Sequence, residues 1–589
     1  MVSKLLKRRA PLPDPVPRTQ TSPPSEGVPP FGAPRARLGD VLLAQNLLQP
    51  EQLTAALNLQ GESGRQLGAI LVDQGLIDAQ SLTQALATQL GLSTVDLRLV
   101  RPTAEALQAI SEETARRLRI VPLRVDDDSL DVAVADGANP LVRDALARIP
   151  FAKVNVFLAI PDDVVTCLNT YYRAVSATDE DVKSLWESAA AKPEVDTTVD
   201  MGVEAPIIQL VNKLVTQALR DRASDIHIEP TQDRIRVRYR VDGALREVLS
   251  LPVSTGPELV SRIKIMADMD IVEKRRPQDG QFETVVDGSG VDVRVATGAT
   301  IFGETAVLRL LDKGRSMKHL SELGMPPATH ERYLSIVRKP YGMILCSGPT
   351  GSGKTTTLYA TLAEITRSEL NVMTIEDPVE YVFPSINQMQ INLQADVTFA
   401  GGLKSILRQD PDVILVGEIR DQETARIAVQ SALTGHMVMS SLHATDATSA
   451  LYRMIDMGIE PFLLSSSLVG VVGQRLVRKI CPSCVTAYEP TGKEREWYDM
   501  FGGSAKESFV HGGGCNYCSG TGYRDRVGVY EVLAVTDTVR QLIVDRAAPQ
   551  EMRAVAISEG MRTMSHEAVA LVAADVTTID EVMHNVFVS

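Results

Sequence analysis

Residues Gly348–Thr355 read G-P-T-G-S-G-K-T, which fits the phosphate-binding loop pattern G-x-x-x-x-G-K-[ST]. The chemistry of such a loop is the gripping of a nucleoside triphosphate. The apolar run Met343–Cys346 before it suits a buried strand, and Thr355–Ala360 after it can open a helix. That strand-to-helix context is what the motif requires. Its glycines let backbone N–H groups turn inward around phosphate oxygens, and the helix N-terminus adds partial positive charge. Lys354 can reach the β- and γ-phosphates, and the Thr355 hydroxyl can ligate Mg²⁺. The candidate ATP-binding residues are Gly348, Pro349, Thr350, Gly351, Ser352, Gly353, Lys354, Thr355 and Thr356.

Two later apolar runs end in carboxylates. Thr374–Glu380 reads T-I-E-D-P-V-E, and Val413–Val416 delivers Gly417 and Glu418. The second resembles a Walker B strand, with Gly417 where a metal-binding aspartate often stands. Two histidines follow, His436 in T-G-H and His443 in S-S-L-H-A-T. A histidine at a strand end can sense a γ-phosphate, yet a lone histidine is more often structural, and both readings are open. Cys481/Cys484 and Cys515/Cys518 form two C-x-x-C pairs. Four thiolates at this spacing suit a tetrahedral zinc site, and a closed shell of this kind is structural. Cys167 and Cys346 read as ordinary buried residues.

The elements that must position these residues belong to several domains, as 589 residues imply. A net charge of −14 argues against a general nucleic-acid binder. No apolar run approaches a membrane span, and Met1–Arg9 is basic without the apolar core of a signal peptide, so a cytosolic chain is expected. Residues 1–36 read as a basic, proline-rich disordered tail. Residues 37–175 read as a regulatory or docking domain, with a paired helical repeat at 37–89 and an α/β part at 90–175. The two repeat units are offset by twenty-nine residues: Leu38/Leu67, Gly39/Gly68, Leu42/Leu71, Leu53/Leu82 and Ala56/Ala85 correspond. Residues 176–202 form an acidic linker. From 203 to 315 a smaller domain is expected, where Ile235, Val237, Tyr239 and Val241 alternate with Arg234, Arg236, Arg238 and Arg240. That alternation predicts a strand with one buried and one basic face, the latter either solvated or facing a partner or phosphate. The ATPase core is placed at 316–475, the tetracysteine module at 476–535 and a helical end at 536–589.

In order and wording these motifs resemble the secretion-superfamily ATPases of type II secretion and type IV pili. Ala223–Pro230 (A-S-D-I-H-I-E-P) and Glu273–Gly280 (E-K-R-R-P-Q-D-G) add to the match, which covers about residues 205–589. Gly303–Lys313 and Gly458–Arg478 look closest to the type II secretion assembly ATPase, and the pilus-extension ATPase shares most of the motifs. The resemblance implies a multidomain α/β chain: a RecA-like P-loop core, a smaller PAS-like α+β N-terminal ATPase half, a helical repeat-bearing N-terminal domain and a zinc module. It implies that Glu380 polarises the attacking water, Glu418 supports Mg²⁺, and His436 and His443 lie near the γ-phosphate. Arg294 and Arg309 match arginines that reach ATP from the smaller half. It further implies hydrolysis of ATP to ADP and phosphate by a homohexamer. Such a ring is held at the inner membrane through platform and docking proteins, with no nucleic acid as substrate.

The paired repeat resembles an N-terminal module that binds cyclic di-GMP, through Arg37, Leu38, Gly39, Leu67 and Gly68 here. Asn46 stands where the module's first unit has glycine, and Gln66 where its second has arginine. A helical adaptor docking on a membrane-platform protein is the other reading. For the whole chain, the rivals are a cyclic-dinucleotide sensor built on an ATPase scaffold and a nucleic-acid translocase.

Overall fold

The computed structural model describes residues 37–126, 128–172, 204–312 and 318–586. The expected tail at 1–36 and linker at 176–202 lie outside these residues. The chain divides into two units, Met1–Val165 and Thr166–Ser589.

In the first unit the repeat becomes four helices, Leu38–Ala44, Pro50–Ser63, Leu67–Asp73 and Ala79–Leu90. Several of the positions paired in the sequence have matching burial. Leu42 and Leu71, and Ala56 and Ala85, are all 0% exposed. A Cβ on either Gly39 or Gly68 would come within 3.0 Å of Leu53 or Leu82 respectively. Glycine therefore lets the first helix of each unit close onto a leucine of the second. Asn46 has φ 54° and its repeat equivalent Gly75 has φ 67°. Asparagine tolerates the left-handed region, so this departure leaves the backbone of the repeat intact. Beyond the helices, β1 (Ser93–Thr94), β2 (Ile120–Asp126), β3 (Ser129–Val134) and β4 (Lys153–Leu158) form one sheet in the order β1-β4-β3-β2.

The second unit holds two large sheets. The first comprises β5 (Ala223–Pro230), β6 (Ile235–Val241), β7 (Ala244–Leu251), β8 (Gln278–Val286), β9 (Ser289–Thr300) and β10 (Gly303–Asp312), in the order β7-β6-β5-β10-β9-β8. Every neighbouring pair is antiparallel. The apolar positions of the helix Glu204–Arg220, among them Leu210, Val211 and Leu214, join the core of this sheet with Leu259 and Ile263 from the helix Gly256–Met266. The strand β6 alternates buried and half-buried residues, as its sequence predicts.

The second sheet contains β11 (Gly342–Ser347), β12 (Val372–Glu376), β13 (Asn387–Gln390), β14 (Val413–Val416), β15 (Met437–Leu442) and β16 (Leu468–Ile480). A hairpin, β17 (Val485–Tyr488) with β18 (Phe509–Gly512), intervenes before β19 (Tyr523–Ala534). The strand order is β13-β12-β14-β15-β11-β16-β19, parallel throughout except for the antiparallel β16–β19 pair. Near-continuous apolar runs such as Val413–Val416 suit strands buried on both faces. A boundary at 475 would cut β16 in two. The core sheet continues to Ala534, and the tetracysteine segment is an insertion between its last two strands. The helices Asp537–Val544 and Pro549–Ser558 return to the same core, where Val539, Ile543 and Met552 pack with Leu533 and Leu464, whereas Met564–Ala573 and Ile579–Asn585 pack with Tyr498 and Phe509 of the insertion.

Candidate nucleotide-hydrolysis site

In a parallel sheet every strand ends on the same edge, so the residues following each strand become neighbours. Here β11 delivers Gly348–Gly353, β12 delivers Asp377–Glu380, β14 delivers Gly417 and Glu418, and β15 delivers His443. Four motifs dispersed over about a hundred residues of sequence thus meet at one edge.

The phosphate loop turns through Gly348 (φ 156°), Gly351 (φ 77°) and Gly353 (φ 88°) into the helix Lys354–Ile365. A Cβ at Gly348 would lie 2.5 Å from the Gln474 carbonyl oxygen, and one at Gly353 2.8 Å from Gln474 Nε2. The loop can lie this close to β16 only because both residues are glycine. Gln474 is buried and accepts from the Thr357 hydroxyl at 2.8 Å, fixing the first helical turn from behind. The Lys354 Nζ donates to the Gly348 and Pro349 carbonyls at 2.8 and 3.0 Å. Burial pulls the Lys354 ammonium below its ordinary pKa, partly offset by Cys346 and Glu418. Thr355 and Thr356 are exposed at the mouth. The Ser352 hydroxyl is buried without a hydrogen-bond partner. A cradle closed to a Cβ at Gly348 and Gly353, an unmatched hydroxyl and a buried ammonium together fit a phosphate chain with its Mg²⁺. A cavity of about 530 Å³ opens beside the loop, lined by Pro349, Gly351, Arg475, Arg478, Arg526 and His584 among others.

The two glutamates of the β12 segment have different surroundings. Glu376 is 3% exposed; Tyr359 donates to Oε2, while Thr374 (2.6 Å) and Gln388 (3.2 Å) donate to Oε1. Glu380 is half-buried, its Oε1 lying 3.5 Å from Arg294 Nη1. Arg294 also donates to the Val379 carbonyl at 3.2 Å, so the antiparallel sheet touches the carboxylate loop. The loop is further pinned by Gln390, which accepts from Val379 N at 3.1 Å, and by the Tyr359 hydroxyl, which accepts from Glu380 N at 3.2 Å. Burial and the neighbouring Glu376 carboxylate push the Tyr359 phenol well above its ordinary pKa, so it stays a donor to Glu376.

Glu418 pairs with Arg420 and lies 3.5 Å from His443 Nε2. His436 is not brought to this edge. It precedes β15, with its carbonyl accepting from Gly342 N at the start of β11 and its Nδ1 against the Ser431 carbonyl at 2.9 Å. Six strand residues separate it from His443, roughly 20 Å, so within the chain it caps the far edge of the sheet. Arg309 is the cross-strand partner of Arg294, yet its Nε binds Asp225 at 3.1 Å instead of the loop. The basic face of β6 is engaged in ion pairs: Arg236 and Arg238 bind Glu229, Arg240 faces Asp225, and Arg234 faces Glu247. Each of the four guanidiniums already has a carboxylate partner on a neighbouring strand, so none is held open for a phosphate, although three carboxylates leave the face with a net positive charge. Tyr359, Gln388, Gln474 and Arg420 were not singled out by sequence. Only Arg420 carried a signal, lying two residues beyond Glu418.

At the tetracysteine insertion, Cys481 follows β16, Cys484 precedes β17, Cys515 follows β18 and Cys518 precedes β19. All four Sγ atoms lie within 4.8 Å of one another, with Cys481–Cys515 and Cys515–Cys518 at 3.8 Å and Cys484–Cys518 at 3.9 Å. A tetrahedron with Zn–S bonds of about 2.3 Å has edges of about 3.8 Å, so the sulfurs fit zinc. Hydrogen bonding from Cys481, then from the backbone N–H groups of Cys515 and Gly522, pulls the Cys518 thiol below its ordinary pKa. By contrast, burial pushes Cys346 up to about 12, as suits an inert core thiol.

Residues 201–584 match the type II/IV secretion system protein family, and residues 90–178 match the MshEN domain. The type II secretion system protein HxcR of Pseudomonas aeruginosa is 48% identical over 391 residues, covering 66% of this chain and 80% of HxcR. The type II secretion system ATPase E of Vibrio cholerae is 45% identical over 411 residues, covering 69% and 80%. The type IV pilus assembly ATPase PilB of Myxococcus xanthus is 36% identical over 560 residues, covering 93% and 98%.

Proposed function

The chain belongs to the type II/IV secretion system protein family, and on that footing we propose that it is the ATP-hydrolysing motor that powers pseudopilus assembly in type II protein secretion. The observation that carries this reading is the shared edge of the core sheet, where the phosphate loop, Glu380, Glu418 and His443 converge. The backbone N–H groups of residues 350–355 and the Lys354 ammonium would hold the phosphates. Thr355 and Glu418 would hold the Mg²⁺ that accompanies ATP, and that ion would supply positive charge for the phosphoryl transfer. Glu380 accepts a proton from the attacking water, and Arg294, 3.5 Å away, orients it and faces the charge that develops on the phosphoryl group. His443 stands beside Glu418 as the γ-phosphate contact. A homohexamer held at the inner membrane by partners is the working assembly; among the described residues no helix is long and apolar enough to cross a membrane. Purified assembled protein should release phosphate from Mg²⁺–ATP, with no stimulation by DNA. Absence of turnover with magnesium and docking partners present would overturn the reading, and strong DNA stimulation would favour a translocase. The near-complete match to a pilus ATPase keeps pilus extension as the second reading, and complementation of secretion-deficient and pilus-deficient strains separates the two.

The four cysteines hold a structural zinc that closes the insertion between β16 and β19. Elemental analysis should give about one zinc per chain, the stoichiometry of a four-thiolate site. Stripping it should lower the melting temperature, and well-folded metal-free protein would refute the assignment.

The paired repeat at 37–89 is the regulatory element. Its two units keep the same glycine contacts and the same left-handed turn, and Arg37 is exposed. These features support binding of cyclic di-GMP, with the Arg37 guanidinium on a guanine or phosphate. Calorimetry should show saturable heat that Arg37→Ala removes. No heat at high ligand concentration would assign the repeat to partner docking instead.

A further inference from the structure

Glu531, on β19, is 0% exposed. Its Oε1 accepts from Ala447 N at 3.2 Å, at the start of the helix Ala447–Asp456. Its Oε2 accepts from Met564 N at 3.3 Å and from Arg553 Nη2 at 3.2 Å. The other end of the Arg553 fork, Nη1, lies 3.7 Å from Asp446 Oδ2. A carboxylate with no solvent access is costly unless its oxygens are answered, and here each one is. Burial raises the Glu531 pKa, and Arg553 works against that rise. No step of the proposed hydrolysis uses this cluster.

What it grips, however, is the loop that ends β15. Asp446 caps the Ala447–Asp456 helix through Ser449 N at 2.7 Å, and its carbonyl accepts from the Ser347 hydroxyl at 3.0 Å. Ser347 is the residue immediately before the phosphate loop. Three residues upstream of Asp446, His443 meets Glu418. The loop 443–446 is thus fastened at one end to the hydrolysis site and at the other to an ionic cluster formed by the buried Glu531 on β19 and the partly exposed Arg553 on the helix Pro549–Ser558.

We propose that Glu531 and Arg553 are positioning residues for ATP hydrolysis: through Asp446 they hold the loop 443–446 so that His443 stays at Glu418. The proposal rests on the reading of Glu418 and His443 as parts of the hydrolysis site. It assigns the pair to turnover and not to nucleotide affinity, because neither side chain reaches the phosphate loop itself.

The test is steady-state hydrolysis of Mg²⁺–ATP by full-length assembled protein carrying Arg553→Ala, Arg553→Lys, Glu531→Gln or His443→Ala, and by the Arg553→Ala/His443→Ala double variant. Arg553 is substantially exposed, so its variants remain usable should Glu531→Gln fail to fold. Arg553→Ala should lower kcat about tenfold, the scale of a small misplacement at a reacting centre, with KM within about twofold. Arg553→Lys should recover part of the loss. The double variant should be no slower than His443→Ala alone, since two residues acting through one contact are not additive. An unchanged kcat in Arg553→Ala, parallel changes in kcat and KM, multiplicative losses in the double variant, or wild-type turnover in His443→Ala would each overturn the proposal. Wild-type turnover in the same assay reports the parent reading independently.

Discussion

Replacing Lys354 with alanine should reduce ATP hydrolysis to background and weaken ATP binding by about 10- to 100-fold, the cost of losing charge-assisted hydrogen bonds worth about 1.5–3 kcal/mol. The structure explains why this residue should have the larger effect. Its ammonium is buried at the start of the helix, and burial already lowers its pKa. An incoming triphosphate brings opposite charge to that point, which favours the charged form and turns a desolvation cost into attraction. The carbonyls of Gly348 and Pro349 that now accept from Nζ belong to the loop itself, so the substitution should leave the melting temperature close to that of the wild type. Lys354→Arg should also fail, because a planar guanidinium does not fit where a compact ammonium sits. Equilibrium binding of a fluorescent ATP analogue and phosphate release check the two effects separately. Unchanged affinity in Lys354→Ala would remove the phosphate loop from its assigned role.

What the sequence discloses about this site follows from the geometry of parallel strands. An apolar run followed by a polar motif is a strand followed by its carboxyl end, so the runs before Gly348, Asp377, Gly417 and His443 already implied a common edge. The same logic, applied to which end of the strand a residue occupies, separates His436 from His443: one precedes β15 and the other follows it. Read only as a pair of histidines in one motif, they looked equivalent. Cross-strand partners are where local reading stops. The four arginines at β6 were visible as a basic face, but Glu229, Asp225 and Glu247, which pair with them, come from strands whose pairing only the fold discloses. Arg309 loses its expected contact for the same reason, since Asp225 lies opposite it on β5. The boundary at 475 misplaced the insertion because the cysteines draw attention to a module while β16 runs unbroken to Ile480 just before the first of them. Glu531 offered no motif of its own, and its importance appears only when helices distant in sequence converge on it.

Glu380→Gln should bind ATP with near wild-type affinity and hydrolyse it about 10²- to 10⁴-fold more slowly, the range expected when a positioned general base is removed. The argument turns on the choice between two glutamates four residues apart. Glu376 is engaged: Tyr359 takes one oxygen, Thr374 and Gln388 take the other, and the side chain is shut from solvent. Its carboxylate holds the β12 loop in place, and a water molecule has no approach to it. Glu380 is partly open to solvent and lies near one guanidinium, Arg294, at 3.5 Å, with its backbone N–H anchored by Tyr359. That is the surrounding a base requires, with an oxygen accessible to water and a fixed main chain. Glutamine keeps the size and the backbone anchor while losing the basic oxygen and the attraction to Arg294. Glu376→Gln tests the other side of the same choice. It should lower stability, because the bonds from Tyr359 and Thr374 weaken when their acceptor is no longer charged, and turnover per folded molecule should fall less than in Glu380→Gln. Single-turnover phosphate release paired with thermal melts distinguishes them: wild-type chemistry in Glu380→Gln together with a chemically dead, fully stable Glu376→Gln would move the base to Glu376.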